Sequence, residues 1–290
     1  MRPDPRLVVG VDLGGTNVRA GAVRGGRLER LVAARLDASA DAETVLGRVF
    51  SAIDPLFSGR ARPAAVGAGV PSVIDPVRGI VYDVQNIPSW KKMPLKKRLE
   101  ERYGVPAYVN NDANCFASGE KRFGKARPFR HAVGLIIGTG LGAGVIIDGR
   151  LYAGPHCGAG EVGMVRYLDG TYEDYASGQF FSLKHGTTGE ELARRARRGE
   201  PEARRIFGEF GGHLAEAIKT ILYTFDPEII VLGGSVSRSY RFFARSLRAR
   251  LLTFAYAPTL RDLRITVSTT PQIAVLGAAA LCLDALHEST

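Results

Sequence analysis

Short apolar runs and helical stripes alternate along this chain, and glycine clusters punctuate them. Leu7-Val8-Val9-Gly10-Val11 is a continuous apolar run that predicts a buried strand. Residues 18–23 and 28–36 predict two more strands around Arg24-Gly25-Gly26-Arg27, whose glycines suit the positive φ of a tight hairpin. Val45, Leu46, Val49, Phe50 and Ile53 then recur on one face of a helix that Ser39 or Asp41 can cap. A buried strand over 65–70, a loop from Ser72 to Trp90, a helix opened by Pro94 and a strand over 107–110 follow. The next helical pattern is expected to begin near Cys115.

The opening pattern then returns. Val133-Gly134-Leu135-Ile136-Ile137 runs into Gly138-Thr139-Gly140-Leu141-Gly142-Ala143-Gly144, a strand over 145–147 and the turn Asp148-Gly149. Gly10, Gly14 and Arg27-Leu28 fall on Gly134, Gly138 and Arg150-Leu151, which predicts two related halves that each offer one glycine loop to a shared cleft. A long helix with Ile206, Phe207, Phe210, Leu214, Ile218, Ile221 and Leu222 should stop at Asp226-Pro227. The strand Ile229-Ile230-Val231-Leu232 follows and ends in Gly233-Gly234; a helix, a strand and a last apolar helix from Gln272 complete the chain.

Composition narrows the function. With 290 residues, 45% of them hydrophobic and 23% charged, the chain can fold as one large or two medium domains. No apolar run approaches the roughly 20 residues of a membrane span, and Met1-Arg2-Pro3-Asp4-Pro5 lacks a signal peptide's apolar core, so a cytoplasmic protein without a membrane partner is expected. Cys115, Cys157 and Cys282 lie far apart with no paired metal spacing, which fits reduced thiols. The net charge of +10 rests mainly on arginines in helical patterns such as Arg194-Arg195-Ala196-Arg197-Arg198. Without a groove-reading module, these are expected to form a solvated basic surface rather than to bind nucleic acid.

Candidate chemistry gathers at the glycine loops and at one strand end. In Asp12-Leu13-Gly14-Gly15-Thr16-Asn17 the glycines let backbone N–H groups approach an anion, Thr16 adds a hydroxyl donor, and Asp12 can hold Mg²⁺ through water. An ordinary glycine-rich hairpin would look the same. Tyr108-Val109-Asn110-Asn111-Asp112-Ala113-Asn114 carries a strand into a helix, which places Asp112 as a candidate general base, although helix capping alone could account for these polar residues. Glu161 and Glu173 lie in glycine-rich, non-helical surroundings suited to a polyhydroxylated ligand, or to plain solvation. Gly233 and Gly234 would let a flat base or ribose approach. Two matches are accidental. The glycines of 140–144 precede a strand rather than the helix a dinucleotide fingerprint requires, and Gly119 to Lys125 is followed by Ala126 where a P-loop needs Ser or Thr.

These motifs, in this order and spacing, resemble the ROK family of sugar kinases and repressors within the hexokinase–actin superfamily, over essentially the whole chain. The resemblance implies an α/β fold of two actin/ribonuclease H-like domains, mixed sheets flanked by helices, with a cleft between them. It implies a small domain of 1–113 with about 275–290, and a larger one of 114–274. It further implies an ATP-dependent hexose kinase with Mg²⁺, most simply a glucokinase, usually a homodimer; N-acetylmannosamine, N-acetylglucosamine or fructose are alternative substrates. Asp12, Gly14, Gly15, Thr16 and Asn17 resemble its first phosphate motif, Gly138, Thr139, Gly140 and Gly142 the second, and Gly233-Gly234 the adenosine motif. Asn86, Asn111, Asp112, Glu161 and Glu173 would bind sugar hydroxyls, with Asp112 also the base.

The departures are specific. Met164 stands where the family usually has histidine, and residues 165–172 contain neither cysteine nor histidine, so no structural zinc site is expected. The loop from Tyr167 to Tyr172 should instead be held by its tyrosines and Leu168. The family's repressors carry a DNA-binding helix-turn-helix ahead of the kinase-like part; only six residues precede the first strand here, which together with Asp112 favours the enzyme.

Overall fold

The computed structural model describes residues 4–59, 61–84 and 86–288. They group into two compact units, one drawn from the residues up to 127, from 151–159 and from 270 onward, the other of 128–150 and 160–269.

The first unit opens with β1 (Val8–Leu13), β2 (Asn17–Arg24) and β3 (Arg27–Arg35), an antiparallel meander whose second turn holds Gly25 and Gly26 at φ 56° and 78°. Helix α1 (Ala42–Phe57) is capped by Asp41, which accepts from the N–H groups of Glu43 and Thr44, so Asp41 rather than Ser39 fills the role. Strand β4 (Val66–Val70) lies parallel to β1. The segment read from sequence as a loop instead folds into a small antiparallel sheet of β5 (Val73–Asp75), β6 (Ile80–Tyr82) and β7 (Lys92–Met93). Such two- and three-residue strands are too short to show a period. After α2 (Leu95–Tyr103), β8 (Ala107–Asn111) joins β4 in parallel, giving the order β3-β2-β1-β4-β8. Helix α3 spans Asp112–Phe123 and so begins three residues earlier than Cys115: Asn111 is already its N-cap, and the polar residues that mask the apolar stripe are its first turn.

The second unit repeats this plan. Its elements are β9 (Ala132–Ile137), β10 (Leu141–Ile147), the start of β11 (Arg150–Tyr152, of which only Arg150 is assigned to this unit), the short hairpin β12 (Arg166–Tyr167) and β13 (Gly170–Thr171), then helices α4 (Tyr172–Ala176), α5 (Gln179–His185), α6 (Gly189–Arg197) and α7 (Pro201–Phe225). Helix α7 ends at Asp226 in the left-handed conformation, as the Asp-Pro pair predicts. Then come β14 (Ile229–Gly233), α8 (Gly234–Ser237), α9 (Tyr240–Leu251), α10 (Ala257–Asp262) and β15 (Arg264–Val267). The sheet order β11-β10-β9-β14-β15 matches that of the first unit, with β10 antiparallel to β9 and both β14 and β15 parallel additions. Phe180, Phe181, Phe207, Phe210 and Phe243 fill its core.

The last helix, α11 (Ile273–Glu288), returns to the first unit because glycines let it lie on the sheet. A Cβ on Gly10 would sit 2.0 Å from the Val275 carbonyl oxygen, one on Gly67 1.9 Å from that of Ala278, and one on Gly277 1.9 Å from that of Cys115. A side chain at Gly10 or Gly67 would push α11 off the sheet, and one at Gly277 would push it away from α3. The fold is thus mixed α/β with two sheets of the same topology, flanked by helices.

Candidate active site

In the first unit the candidate residues collect at the carboxyl ends of three parallel strands. Asp12 of β1 is in register with Gly69 of β4, and Gly69 with Asn110 of β8, so Asp12 and the residues entering α3 end two strands apart on one edge. At about 4.8 Å per strand that separation is about 10 Å, and strand ends of this kind are where ligands reach open α/β sheets.

Asp112 is the first residue of α3 and is half-buried. The side chain of Asn111 accepts from the Ala113 N–H at 2.8 Å, and Asp112 Oδ1 accepts from the same N–H at 2.9 Å. Capping is therefore real but already supplied by Asn111. Burial raises the pKa of Asp112, and the nearby Asp12 carboxylate raises it further, against the opposing pull of the Ala113 N–H. Behind it, Asn110 Oδ1 accepts from the Asn111 N–H, from Asn114 and from the Cys157 thiol, which fixes the backbone that aims Asp112. Asn111 Nδ2 donates to the Ser72 carbonyl.

The first glycine loop is the β1–β2 turn, closed by the Gly14 N–H donating to the Asn17 carbonyl at 2.9 Å, while Thr16 and Asn17 are exposed. Gly15 passes so close to Asn86 that a Cβ would lie 2.6 Å from that of Asn86, so this loop and the exposed turn carrying Asn86 are packed against each other. Asp12 is held by Arg19, which donates to its Oδ2 from Nη2 at 2.5 Å and from Nε at 3.1 Å. The sequence reading missed Arg19, although a tight β1–β2 turn puts it opposite Asp12 on the hairpin.

In the second unit Gly138-Thr139-Gly140 forms the β9–β10 turn, and β10 begins at Leu141, so Gly142 lies within the strand, in register with Ile136, rather than in the loop. The turn is tied from outside. The Gly178 N–H donates to the Gly138 carbonyl at 2.7 Å, and Ser177 Oγ donates to that of Thr139 at 2.9 Å. Glu173, half-buried in the first turn of α4, accepts from the Leu141 N–H through Oε2 and from Gln179 Nε2 through Oε1. Gly140 is glycine because a Cβ would meet Glu173 Oε2 at 2.5 Å. Gly233 ends β14 beside this turn, in register with Ile136, and Gly234 opens α8; Gly234 has φ 84° and would place a Cβ 2.3 Å from the Ile137 carbonyl oxygen. Glu161 is exposed and precedes the turn 162–164, in which Met164 is also exposed.

The segment from Tyr167 to Tyr175 is an aromatic cluster. Tyr167 stacks on Tyr172 at 4.7 Å, meets Tyr175 edge-on at 5.4 Å, and its hydroxyl pairs with His213 Nδ1 at 3.0 Å. Leu168 takes no part: it is 68% exposed with φ 52°, at the tip of the β12–β13 hairpin, so its expected packing role is wrong. Among the described residues no three His, Cys, Asp or Glu side chains are grouped so as to hold a metal, and no helix is long and apolar enough to cross a membrane.

Two units of matching α/β topology, each with a glycine turn at a strand end, define an actin-like ATPase fold. The chain belongs to the ROK family, whose model matches residues 8–285. A glucokinase of Thermotoga maritima is 30% identical over 310 aligned positions, covering 96% of this chain and 98% of that protein. An N-acetyl-D-glucosamine kinase of Vibrio cholerae is 30% identical over 288 positions, covering 88% and 93%. Among solved structures, a ROK family glucokinase from Streptomyces griseus in complex with glucose and AMPPNP has a TM-score of 0.80 at 28% identity, covering 95% of this chain and 98% of that one.

Proposed function

We propose that this protein is an ATP-dependent hexose kinase that transfers the γ-phosphoryl group to a sugar hydroxyl, with glucose as the first candidate substrate. The observation that carries the reading is Asp112, a half-buried carboxylate of raised pKa fixed at a helix start beside Asn111. A base at this position takes the proton of the attacking hydroxyl, and the raised pKa strengthens it as an acceptor. Asn86, Asn111, Glu161 and Glu173 are assigned to sugar hydroxyls, for which amide and carboxylate oxygens are suitable acceptors.

Phosphoryl transfer depends mostly on positioning and charge stabilisation. The backbone N–H groups of Gly15, Thr16 and Asn17, and those of Thr139 and Gly140, are assigned to the phosphates, while Gly14 and Gly138 shape the two turns by donating to the Asn17 and Gly140 carbonyls; Gly233 and Gly234 are assigned to the nucleoside, with Gly142 supporting the second turn from within its strand. Asp12 is a hard oxygen donor beside the first turn, with one oxygen engaged by Arg19, and is the residue that would hold Mg²⁺ through water. When bound, that ion neutralises phosphate charge.

A coupled ADP-release assay with ATP over a panel of hexoses and amino sugars tests the proposal. Turnover of glucose above the others is expected. Preference for N-acetylglucosamine would move the protein to the second group of relatives, which match it at the same 30% identity. No ADP release with any sugar would overturn the kinase reading in favour of a sugar-responsive regulator.

A further inference from the structure

The second unit carries a groove of about 860 Å³ that contains none of the residues assigned above. Five exposed arginines line it: Arg197 at the end of α6, Arg204 and Arg205 near the start of α7, and Arg241 and Arg245 near the start of α9, with Phe242 at its wall. No acidic residue is part of the lining.

This arrangement works against stability. Helices α7 and α9 run parallel, since Phe207 stacks on Phe242, Glu216 pairs with Arg250 and Lys219 bonds Thr253, a nearly constant offset along both. Their amino-terminal ends, each with unsatisfied N–H groups and partial positive charge, therefore lie side by side. Neither Glu200 nor Ser239 caps its helix through the side chain, and α9 has no acid in its first turn. Cations belong at the opposite end of a helix, yet Arg241 occupies the first turn of α9 and Arg204 and Arg205 stand near the start of α7.

The nearby acids do not balance this charge. Glu200 and Glu202 are both held by Arg195, and Glu209 lies 3.5 Å from Arg205 and 3.8 Å from His185. Among the described residues Arg197, Arg241 and Arg245 have no ion pair; Arg241 lies over the Phe242 ring at 4.6 Å. Burial does not explain these arginines either, because all five are exposed.

We propose that this groove is a binding site for a small anion carrying several phosphate groups. Guanidinium forks and helix amino termini are both phosphate-binding devices, and here they converge. The volume falls in the range of small-molecule sites, roughly 300–1,000 Å³. Arg241, Arg245 and Ala249 mark out a stripe about 12 Å long along α9 at 1.5 Å per residue, which favours an extended phosphate chain over a single phosphate.

The probe is inorganic tripolyphosphate, titrated calorimetrically into the full chain with the catalytic nucleotide site saturated by ADP. One tripolyphosphate per chain should bind, and Arg241→Ala/Arg245→Ala should weaken it by at least about tenfold and flatten the salt dependence of affinity. The same double substitution should leave the melting temperature unchanged or raised, because it removes cations from a positive helix end, and should leave sugar-dependent ADP release unchanged, while Arg248→Ala/Arg261→Ala, outside the groove lining, should bind as wild type. Titration with AMPPNP separates the sources: two equivalents per chain identify a nucleotide, whereas one equivalent plus one tripolyphosphate identifies an inorganic chain. No tripolyphosphate binding beside ADP, an equal loss in the Arg248/Arg261 variant, or tighter binding of an oligonucleotide at equal phosphate concentration would overturn the proposal.

Discussion

Glu173 accepts the Leu141 backbone N–H at 2.9 Å, so a carboxylate assigned to the sugar also fixes the turn assigned to ATP phosphates. Its other oxygen accepts from Gln179 at 3.0 Å. Glu173→Gln keeps one acceptor but loses the charge that strengthens both bonds. Steady-state kinetics should show KM for the sugar and KM for ATP rising together, each by about 10-fold or more, since a bond to a charged group contributes about 1.5–3 kcal/mol. An unchanged sugar KM would return Glu173 to a purely structural role.

Asp112→Ala should lower kcat by on the order of 10²–10⁴-fold, the range for loss of a positioned general base. Asn111 still caps α3, so the circular-dichroism spectrum should be that of wild type. ATP affinity should change little. Turnover within about tenfold of wild type would mean that Asp112 is a second capping residue and no more.

Gly15→Ala tests the contact between the first glycine turn and Asn86. The added methyl carbon would lie 2.6 Å from Asn86 Cβ, closer than any real contact, so the turn or the Asn86 segment must move. A displacement on the order of 1 Å in a site of this kind costs on the order of 10²-fold in rate. We expect kcat/KM to fall by about that factor for both substrates, with the melting temperature nearly unchanged; a loss for ATP alone would exclude Asn86 from sugar binding.

The aromatic cluster around Tyr167 should hold its hairpin without metal. Elemental analysis should find no stoichiometric zinc, and a chelator should stop turnover by removing Mg²⁺ while leaving the melting temperature in place. Tyr167→Ala removes three ring contacts and the hydrogen bond to His213, and should cost about 2 kcal/mol in chemical denaturation. One tightly held zinc per chain would contradict this account.

Asp4 makes stability depend on acid. Hydrogen bonds from Arg6, foremost its guanidinium, lower its pKa from 3.8 to about 2, and the carboxylate is 4% exposed. A depressed carboxylate stabilises the fold above its unfolded pKa, and that contribution fades as pH falls from about 4 through 2. Asp4→Asn should therefore cost on the order of 2 kcal/mol at pH 7, with the difference from wild type closing towards pH 2. A constant gap across that window would show that the carboxyl's charge is not the source.

The amino-acid sequence alone determined whatever depends on neighbours in the chain. Apolar runs interrupted by Gly14-Gly15 and by Gly138-Thr139-Gly140 define strand–turn–strand units, their recurrence defines two related sheets, and Asn111-Asp112 marks a strand running into a helix. These signals are legible because backbone preference and side-chain period act over a few residues. Tertiary structure decided which distant residues share a surface. Leu141 and Glu173 are 32 positions apart, Gly10 and Val275 far more, and the arginines of the groove come from three helices whose periodicity says only that they are exposed. Charge read along the chain looks like a solvated surface; charge placed by the parallel packing of α7 and α9 becomes a cluster at two positive helix ends. That difference arises from the long-range packing of Phe207 and Phe210 against Phe242 and Phe243, which no local pattern encodes.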